Sequence, residues 1–208
     1  MIHVIPGFLG ESRDFDFLKT HDEVMIHDLR KIDADGIGKL LSANDSLLGY
    51  SLGGRVSLEI ADRLQFNLRK VILLASHPGL SSEMDRAERK KWEAVVLEKL
   101  TGNSKDFFDW WNALPVFTND LPLSERDLSG WANVFNRYLL SHQRNFLPLI
   151  QEHADKIIYL YGEKDNKYAQ LAREEIAPLG ISCHGIHAGH RIFQNKEAIL
   201  KILREEIP

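Results

Sequence analysis

Ser46-Leu47-Leu48-Gly49-Tyr50-Ser51-Leu52-Gly53-Gly54 leads a short apolar run into a serine flanked by glycines, and a helical pattern follows at once from Arg55 to Gln65. Strand, sharp turn and helix in immediate succession make the Gly-x-Ser-x-Gly arrangement, in which the serine hydroxyl is pushed out above a sheet. The glycines suit that turn because side chains beside the serine would collide with the approaching backbones. The first amides of the following helix point at the same place. Negative charge developing near Ser51 therefore meets the Leu52 N–H and the positive end of the helix dipole. A second donor is expected from Pro6-Gly7-Phe8-Leu9-Gly10, directly after the first apolar run, through the Phe8 N–H.

Outward from this turn, Val-, Ile- and Leu-rich runs recur at Ile2 to Ile5, Val24 to Ile26, Ser46 to Leu48, Val71 to Leu74, Ile157 to Tyr161 and Ile181 to Ile186. Continuous apolar runs of this length predict strands buried on both faces, as in a parallel sheet. Helical patterns lie between most of them, at Ile37 to Ala43, Arg55 to Gln65, Gln170 to Ile176 and Lys196 to Glu206. The alternation predicts an α/β fold with a mostly parallel, doubly wound sheet flanked by helices.

Residues 81–151 break the alternation, with three helical patterns and no convincing strand. They predict a helical cap subdomain inserted into a single domain that spans 1–208. Ser82 followed by Asp85, and Ser124 followed by Asp127, have the spacing of helix starts. All four tryptophans, Trp92, Trp110, Trp111 and Trp131, fall in this stretch, where packing of the cap onto the sheet is their simplest use.

The 208 residues are 44% hydrophobic, enough for one sizeable core. A formal net charge of -4 provides no bulk attraction to phosphate backbones or anionic membranes, so neither nucleic acid nor membrane is an expected partner. Cys183 is the only cysteine, which leaves no internal disulfide and fits a reducing cytoplasm. The chain starts without a basic, then apolar, leader, and no apolar run approaches the length of a membrane span. The nine histidines form no tight ligand spacing, and neither a P-loop nor a dinucleotide fingerprint occurs. Neither metal nor cofactor is expected, and oligomeric state is left open.

A serine hydroxyl becomes a useful base or nucleophile only when a neighbour takes its proton. Gly162-Glu163-Lys164-Asp165 follows one strand and His187-Ala188-Gly189-His190 follows the last. Serine, then acid, then histidine is the order found in the α/β-hydrolase fold. The expected triad is Ser51, Asp165 and His190, with His187 and then His184 as rival histidines.

Several blocks together, Gly49-Tyr50-Ser51-Leu52-Gly53-Gly54-Arg55-Val56, His77-Pro78-Gly79-Leu80, Arg86-Ala87-Glu88-Arg89, Pro115-Val116-Phe117, Gly162-Glu163-Lys164-Asp165 and His187-Ala188-Gly189-His190, resemble the 2-succinyl-6-hydroxy-2,4-cyclohexadiene-1-carboxylate synthase (MenH) family of menaquinone biosynthesis. The resemblance implies a lyase that removes a ring proton through its triad serine and expels pyruvate. It implies triad roles for Ser51, Asp165 and His190, pocket roles for Tyr50 and Trp111, and carboxylate-binding roles for Arg55, Arg89 and Arg137. The residues themselves agree, since a carboxylate-rich small molecule favours the planar donor fork of arginine.

The chain departs from that pattern at three places. Pro6 stands where the family usually has the His of a His-Gly loop, the opening strand hairpin is missing, and the connection from Asp28 to Ala43 is short. Two other readings therefore stand beside the lyase: a small carboxylesterase or thioesterase acting on an anionic substrate, and a relative that only binds a ligand.

Overall fold

Six strands, β1 (Ile2–Ile5), β2 (Val24–Ile26), β3 (Ser46–Tyr50), β4 (Lys70–Leu74), β5 (Ile157–Gly162) and β6 (Ser182–Ile186), form one sheet in a computed structural model that describes residues 1–20 and 23–207. The order is β2-β1-β3-β4-β5-β6, and every pair is parallel. The chain steps from β1 to β2 on one side, then returns to place β3 on the other side of β1. Loops leaving β1 and β3 at their carboxyl ends therefore diverge, which opens the crevice where α/β sheets take their ligands. The register aligns Ile5 with Gly49, Tyr50 with Leu74, and Gly162 with Ile186. All loops after these residues share one rim.

Strand alternation sends successive side chains to opposite faces. Leu47, Val71, Leu73, Ile157 and Tyr159 join the core under α1 (Ala34–Gly38) and α2 (Leu52–Arg63), with Val56 and Ile60 from α2. Leu48, Ile72, Leu74, Ile158 and Leu160 join the opposite core with Phe15, Leu18, Ile199 and Leu203. The last two come from the C-terminal helix, Lys196–Glu206, whose Asn195 cap accepts the Ala198 N–H.

Between β4 and β5 the described chain contains no strand. It holds α3 (Glu83–Leu100), α4 (Ser104–Asn112), α5 (Trp131–Arg137) and α6 (Leu147–Glu152), four helices where the sequence patterns predicted three. Ser82 caps α3, its Oγ accepting the Met84 and Asp85 N–H groups. Ser124 starts no helix. Asp127 Oδ1 instead accepts the Ser129 N–H at 2.9 Å, a local turn that competes with helix formation. Leu123 upstream is held at both its N–H and its carbonyl by the Asn112 side chain.

Other boundaries shift for similar local reasons. Asp33 caps the first helix through the Gly36 N–H, so that helix lies at Ala34–Gly38 rather than 37–43. The helix expected at 170–176 begins as α7 (Asn166–Leu171), capped by Asp165, and runs into one π turn at Ala172–Ile176. With the C-terminal helix as α8, eight α-helices are described. No described helix is long and apolar enough to cross a membrane.

Candidate active site

Ser51 occupies the single-residue turn between β3 and α2, at φ 50° and ψ -111°. A non-glycine residue held there costs about 1–3 kcal/mol, and the neighbourhood supplies the restraint. The Ser51 N–H donates to the Leu74 carbonyl at 2.8 Å, and Ser76 Oγ donates to the Ser51 carbonyl at 2.8 Å. A Cβ on Gly53 would overlap the Ile5 carbonyl oxygen, and one on Gly49 would overlap Gly54 Cα. Only glycine lets α2 start this close to β1 and β3.

Asp165 and His190 reach the serine from the neighbouring strand ends. The loops after β5 and β6 are zipped together, Glu163 N–H to the Ile186 carbonyl at 2.8 Å and Lys164 N–H to the Ala188 carbonyl at 3.0 Å. His190 Nδ1 lies 2.7 Å from Asp165 Oδ2, and His190 Nε2 lies 3.2 Å from Ser51 Oγ. The other Asp165 oxygen accepts the Tyr168 N–H that begins α7. One carboxylate thus both caps a helix and sets the imidazole, whose Nδ1–H then leaves Nε2 free to accept from Ser51. The rival histidines are elsewhere: His187 is exposed at 3.4 Å from Glu163, and His184 pairs with Glu206.

As the first residue of α2, Leu52 has an N–H with no intrahelical acceptor. Phe8 lines the same cleft from a tight loop in which the Gly10 N–H donates to the Gly7 carbonyl at 2.9 Å. Arg126 pins this loop from residues 81–151: its guanidinium donates to the Leu9 carbonyl at 2.8 Å and to both oxygens of Asp14 at 2.6 and 2.8 Å. The side chains of the pair are almost fully buried.

These groups face a cleft of about 960 Å³. Its wall carries six Lys or Arg residues against four Asp or Glu, the reverse of the chain's net charge of -4. Arg55, one turn into α2, is buried and donates to the Tyr138 carbonyl at 2.7 Å and to Gln143 Oε1 at 3.2 Å. Burial, then the Arg89 charge, lowers its pKa to about 10, so it stays cationic at neutral pH. Arg89 stacks on Trp92 at 4.1 Å and donates to Glu93 at 3.0 Å. His77 lines the same end, where burial followed by the charges of Lys167, Arg55 and Arg89 lowers its pKa to about 3. Its Nδ1 accepts the Gly79 N–H at 3.1 Å, which assigns the proton of the neutral ring to Nε2.

Tyr50 and Trp111 both line the cleft and are buried. Tyr50 packs against Phe15, Phe193 and His190, and burial drives its phenol pKa well up. Arg137 does not reach the cleft. It lies at the end of α5, half-exposed, 3.8 Å from Asp33, beside a separate depression formed with 29–33. Its turn of α5 points Tyr138, not Arg137, inward, and the Tyr138 hydroxyl accepts the Ala34 N–H.

Sequence reasoning missed four residues that the cleft includes: Arg126, Lys164, Lys167 and Arg191. Arg191, buried beside His190, donates to the Leu121 carbonyl and Asn112 Oδ1 and stacks on Phe117 at 4.0 Å. Adjacency to His190 and Asp165 could have flagged Arg191 and Lys167. Nothing local marks Arg126, whose partner Asp14 is 112 positions away. Among the described residues no cluster of three or more His, Cys, Asp or Glu is arranged to hold a metal ion.

The parallel sheet, the strained serine between β3 and α2, and the acid and histidine after β5 and β6 make this chain a member of the α/β-hydrolase superfamily. An esterase from Thermogutta terrifontis shares that fold, with a TM-score of 0.70 over 98% of this chain and 88% of its own at 16% identity. Within the superfamily, the chain is a relative of the 2-succinyl-6-hydroxy-2,4-cyclohexadiene-1-carboxylate synthases. It is 32% identical to the Salmonella heidelberg protein of that name over 73% of this chain and 63% of that one. The structure of MenH from S. aureus superposes with a TM-score of 0.81 at 25% identity, covering 100% of this chain and 95% of that one. The chain spans about two thirds or less of the length of the curated relatives it matches. No protein-family model matches it.

Proposed function

We propose that the protein is a lyase that eliminates pyruvate from 2-succinyl-5-enolpyruvyl-6-hydroxy-3-cyclohexene-1-carboxylate in menaquinone biosynthesis. The observation that carries this reading is the presence of Arg55 and Arg89 in the same cleft as Ser51, where a carboxylate-rich molecule finds its charge partners. His190 Nε2 accepts the Ser51 proton, and the serine oxygen takes a ring C–H proton. The freed electron pair forms a double bond to the next ring carbon, the existing ring double bond shifts one place, and the ring C–O bond breaks with its electrons leaving on oxygen. The departing enolpyruvate, protonated in turn, becomes pyruvate. Neither water nor an acyl-enzyme enters this sequence. The Leu52 and Phe8 N–H groups stabilise the negative charge that develops. Residues 81–151 act as a cap that completes the pocket wall through Arg89 and Trp111. The lone cysteine fits action in the cytoplasm.

A coupled assay for pyruvate tests the reading directly. The tricarboxylate substrate should release pyruvate with the wild-type protein. Arg55→Ala should lower kcat/KM by roughly 10- to 100-fold, the worth of a charge-assisted hydrogen bond. No pyruvate, with rapid turnover of neutral p-nitrophenyl esters that Arg55→Ala leaves untouched, favours the esterase reading instead. That second reading has its support in the fold shared with the Thermogutta terrifontis esterase.

A further inference from the structure

With Arg137 outside the cleft, a substrate bearing three carboxylates meets only Arg55 and Arg89 of the three arginines first expected, and both are already engaged. Arg55 is tied to a carbonyl and an amide oxygen, and Arg89 to Glu93. Two of the other cations on the wall are also committed, Arg126 to Asp14 and Leu9, and Arg191 to Leu121 and Asn112. Lys164 and Lys167 remain, and no carboxylate lies within ion-pair distance of either among the described residues.

Lys167 is the better placed of the two. It stands in the first turn of α7, two residues after Asp165, and its ammonium lies 6.0 Å from the centre of the Tyr168 ring. That ring packs against His190 at 4.6 Å. The charges of Lys167, Arg55 and Arg89 all act on His77, which puts the three cations around one end of the cleft. The side chain stays open to solvent, yet the surrounding walls withdraw water from its ammonium. That desolvation, followed by repulsion from Arg89, lowers its pKa. An unpaired cation beside other cations gains from an arriving anion, because the anion relieves repulsion as well as forming a bond.

We infer that Lys167 binds a carboxylate of the substrate and is a specificity-determining residue of this site, in the role that the family resemblance implied for Arg137. The inference rests on the proposed carboxylate-rich substrate. Its test is therefore built on binding as well as turnover, using propane-1,2,3-tricarboxylate as the probe.

Lys167→Gln should weaken binding of that tricarboxylate, measured by calorimetry, by roughly 10- to 100-fold. It should raise KM for the tricarboxylate substrate far more than it lowers kcat. Lys167→Arg should restore most of the affinity, a rescue that a purely structural role would not give. The same substitutions at Lys164, whose charge is not among those acting on His77 beside Arg55 and Arg89, should change affinity less than about threefold. An unchanged melting temperature shows that the variants fold as the wild type does. Equal tricarboxylate affinity in wild type and Lys167→Gln overturns the inference, as does absence of any binding by the wild type. If the wild type binds the probe and loses it with Lys167→Gln but releases no pyruvate, the anion site stands and the lyase reading falls.

Discussion

Two halves of the site are built by different physics. On the sheet side, Ser51, Asp165 and His190 each stand within a few residues of a strand end, and strand register alone brings those ends to one rim. On the side of residues 81–151, the groups that reach the cleft arrive through contacts between segments far apart in sequence, such as Arg126 on Asp14 and Glu93 on Ser141. The proposed chemistry belongs to the first half, and the second half packs against it through these long-range contacts. Perturbing one should leave the other largely intact, and four experiments test how far that separation holds.

The largest effect belongs to the sheet side. Ser51→Ala should cut turnover by at least about 10³-fold, the usual scale for removing a triad member. It should leave the melting temperature unchanged or raised. An alanine variant retaining more than a tenth of the activity would take the serine out of the reaction.

Arg126→Met attacks the other half. Removing one partner of a buried ion pair costs about 3–5 kcal/mol, because the remaining charge is stranded. Denaturant unfolding should read that loss, and the Asp14→Leu/Arg126→Met double variant should recover part of it. If the proposed oxyanion donor, the Phe8 N–H, depends on the hold of Arg126 on its loop, kcat falls with little change in KM. Full kcat in a folded Arg126→Met protein would mean the loop needs no help from residues 81–151.

A third test concerns a weakness confined to the sheet edge. His3 Nδ1 and His27 Nε2 lie 2.9 Å apart, stacked and buried between β1 and β2. Burial, then the proximity of His3, lowers the His27 pKa from 6.5 to about 4. The folded state therefore prefers neutral His27, while the unfolded chain protonates near 6.5. The resulting stability is fully present above pH 6.5 and drains away as pH falls from there toward 4, by roughly 3 kcal/mol at most. At the neighbouring His3, whose pKa burial also lowers, Asp45 at 3.9 Å from Nε2 acts in the opposite sense. His27→Gln should flatten the stability profile between pH 6.5 and 4 without altering the activity ratio of the Arg126 variants.

The smallest effect is expected at Arg137. Its ion pair with Asp33 is exposed, so Arg137→Ala should change stability by no more than about 0.5 kcal/mol and turnover by less than about twofold. A tenfold rise in KM would show that residues 131–137 swing inward during turnover.

The same division explains what the sequence made legible. All six strands, the serine turn and the serine-acid-histidine order could be read because each is written in a few consecutive residues: an apolar run, a glycine, a polar group. Helix boundaries in 81–151 could not. Whether Ser124 caps a helix depends on Asp127 turning to Ser129 and on Asn112 holding Leu123, which no local pattern encodes. Arg137 and Tyr138 are adjacent, and which of them faces inward is decided by packing against Ala34 across more than a hundred residues. Only two of the six cations of the cleft were legible. Arg55 and Arg89 were named from motif blocks, whereas Arg126 depends on a partner 112 residues away.

The left-handed twist at Ser51 has an evolutionary edge. Glycine would relax into that geometry, so Ser51→Gly removes a conformational burden of about 1 kcal/mol along with the hydroxyl. Selection of this chain for heat resistance alone would then reward the very exchange that silences it. A library sorted for thermal survival should accumulate glycine at position 51, whereas one sorted for turnover should never lose the serine.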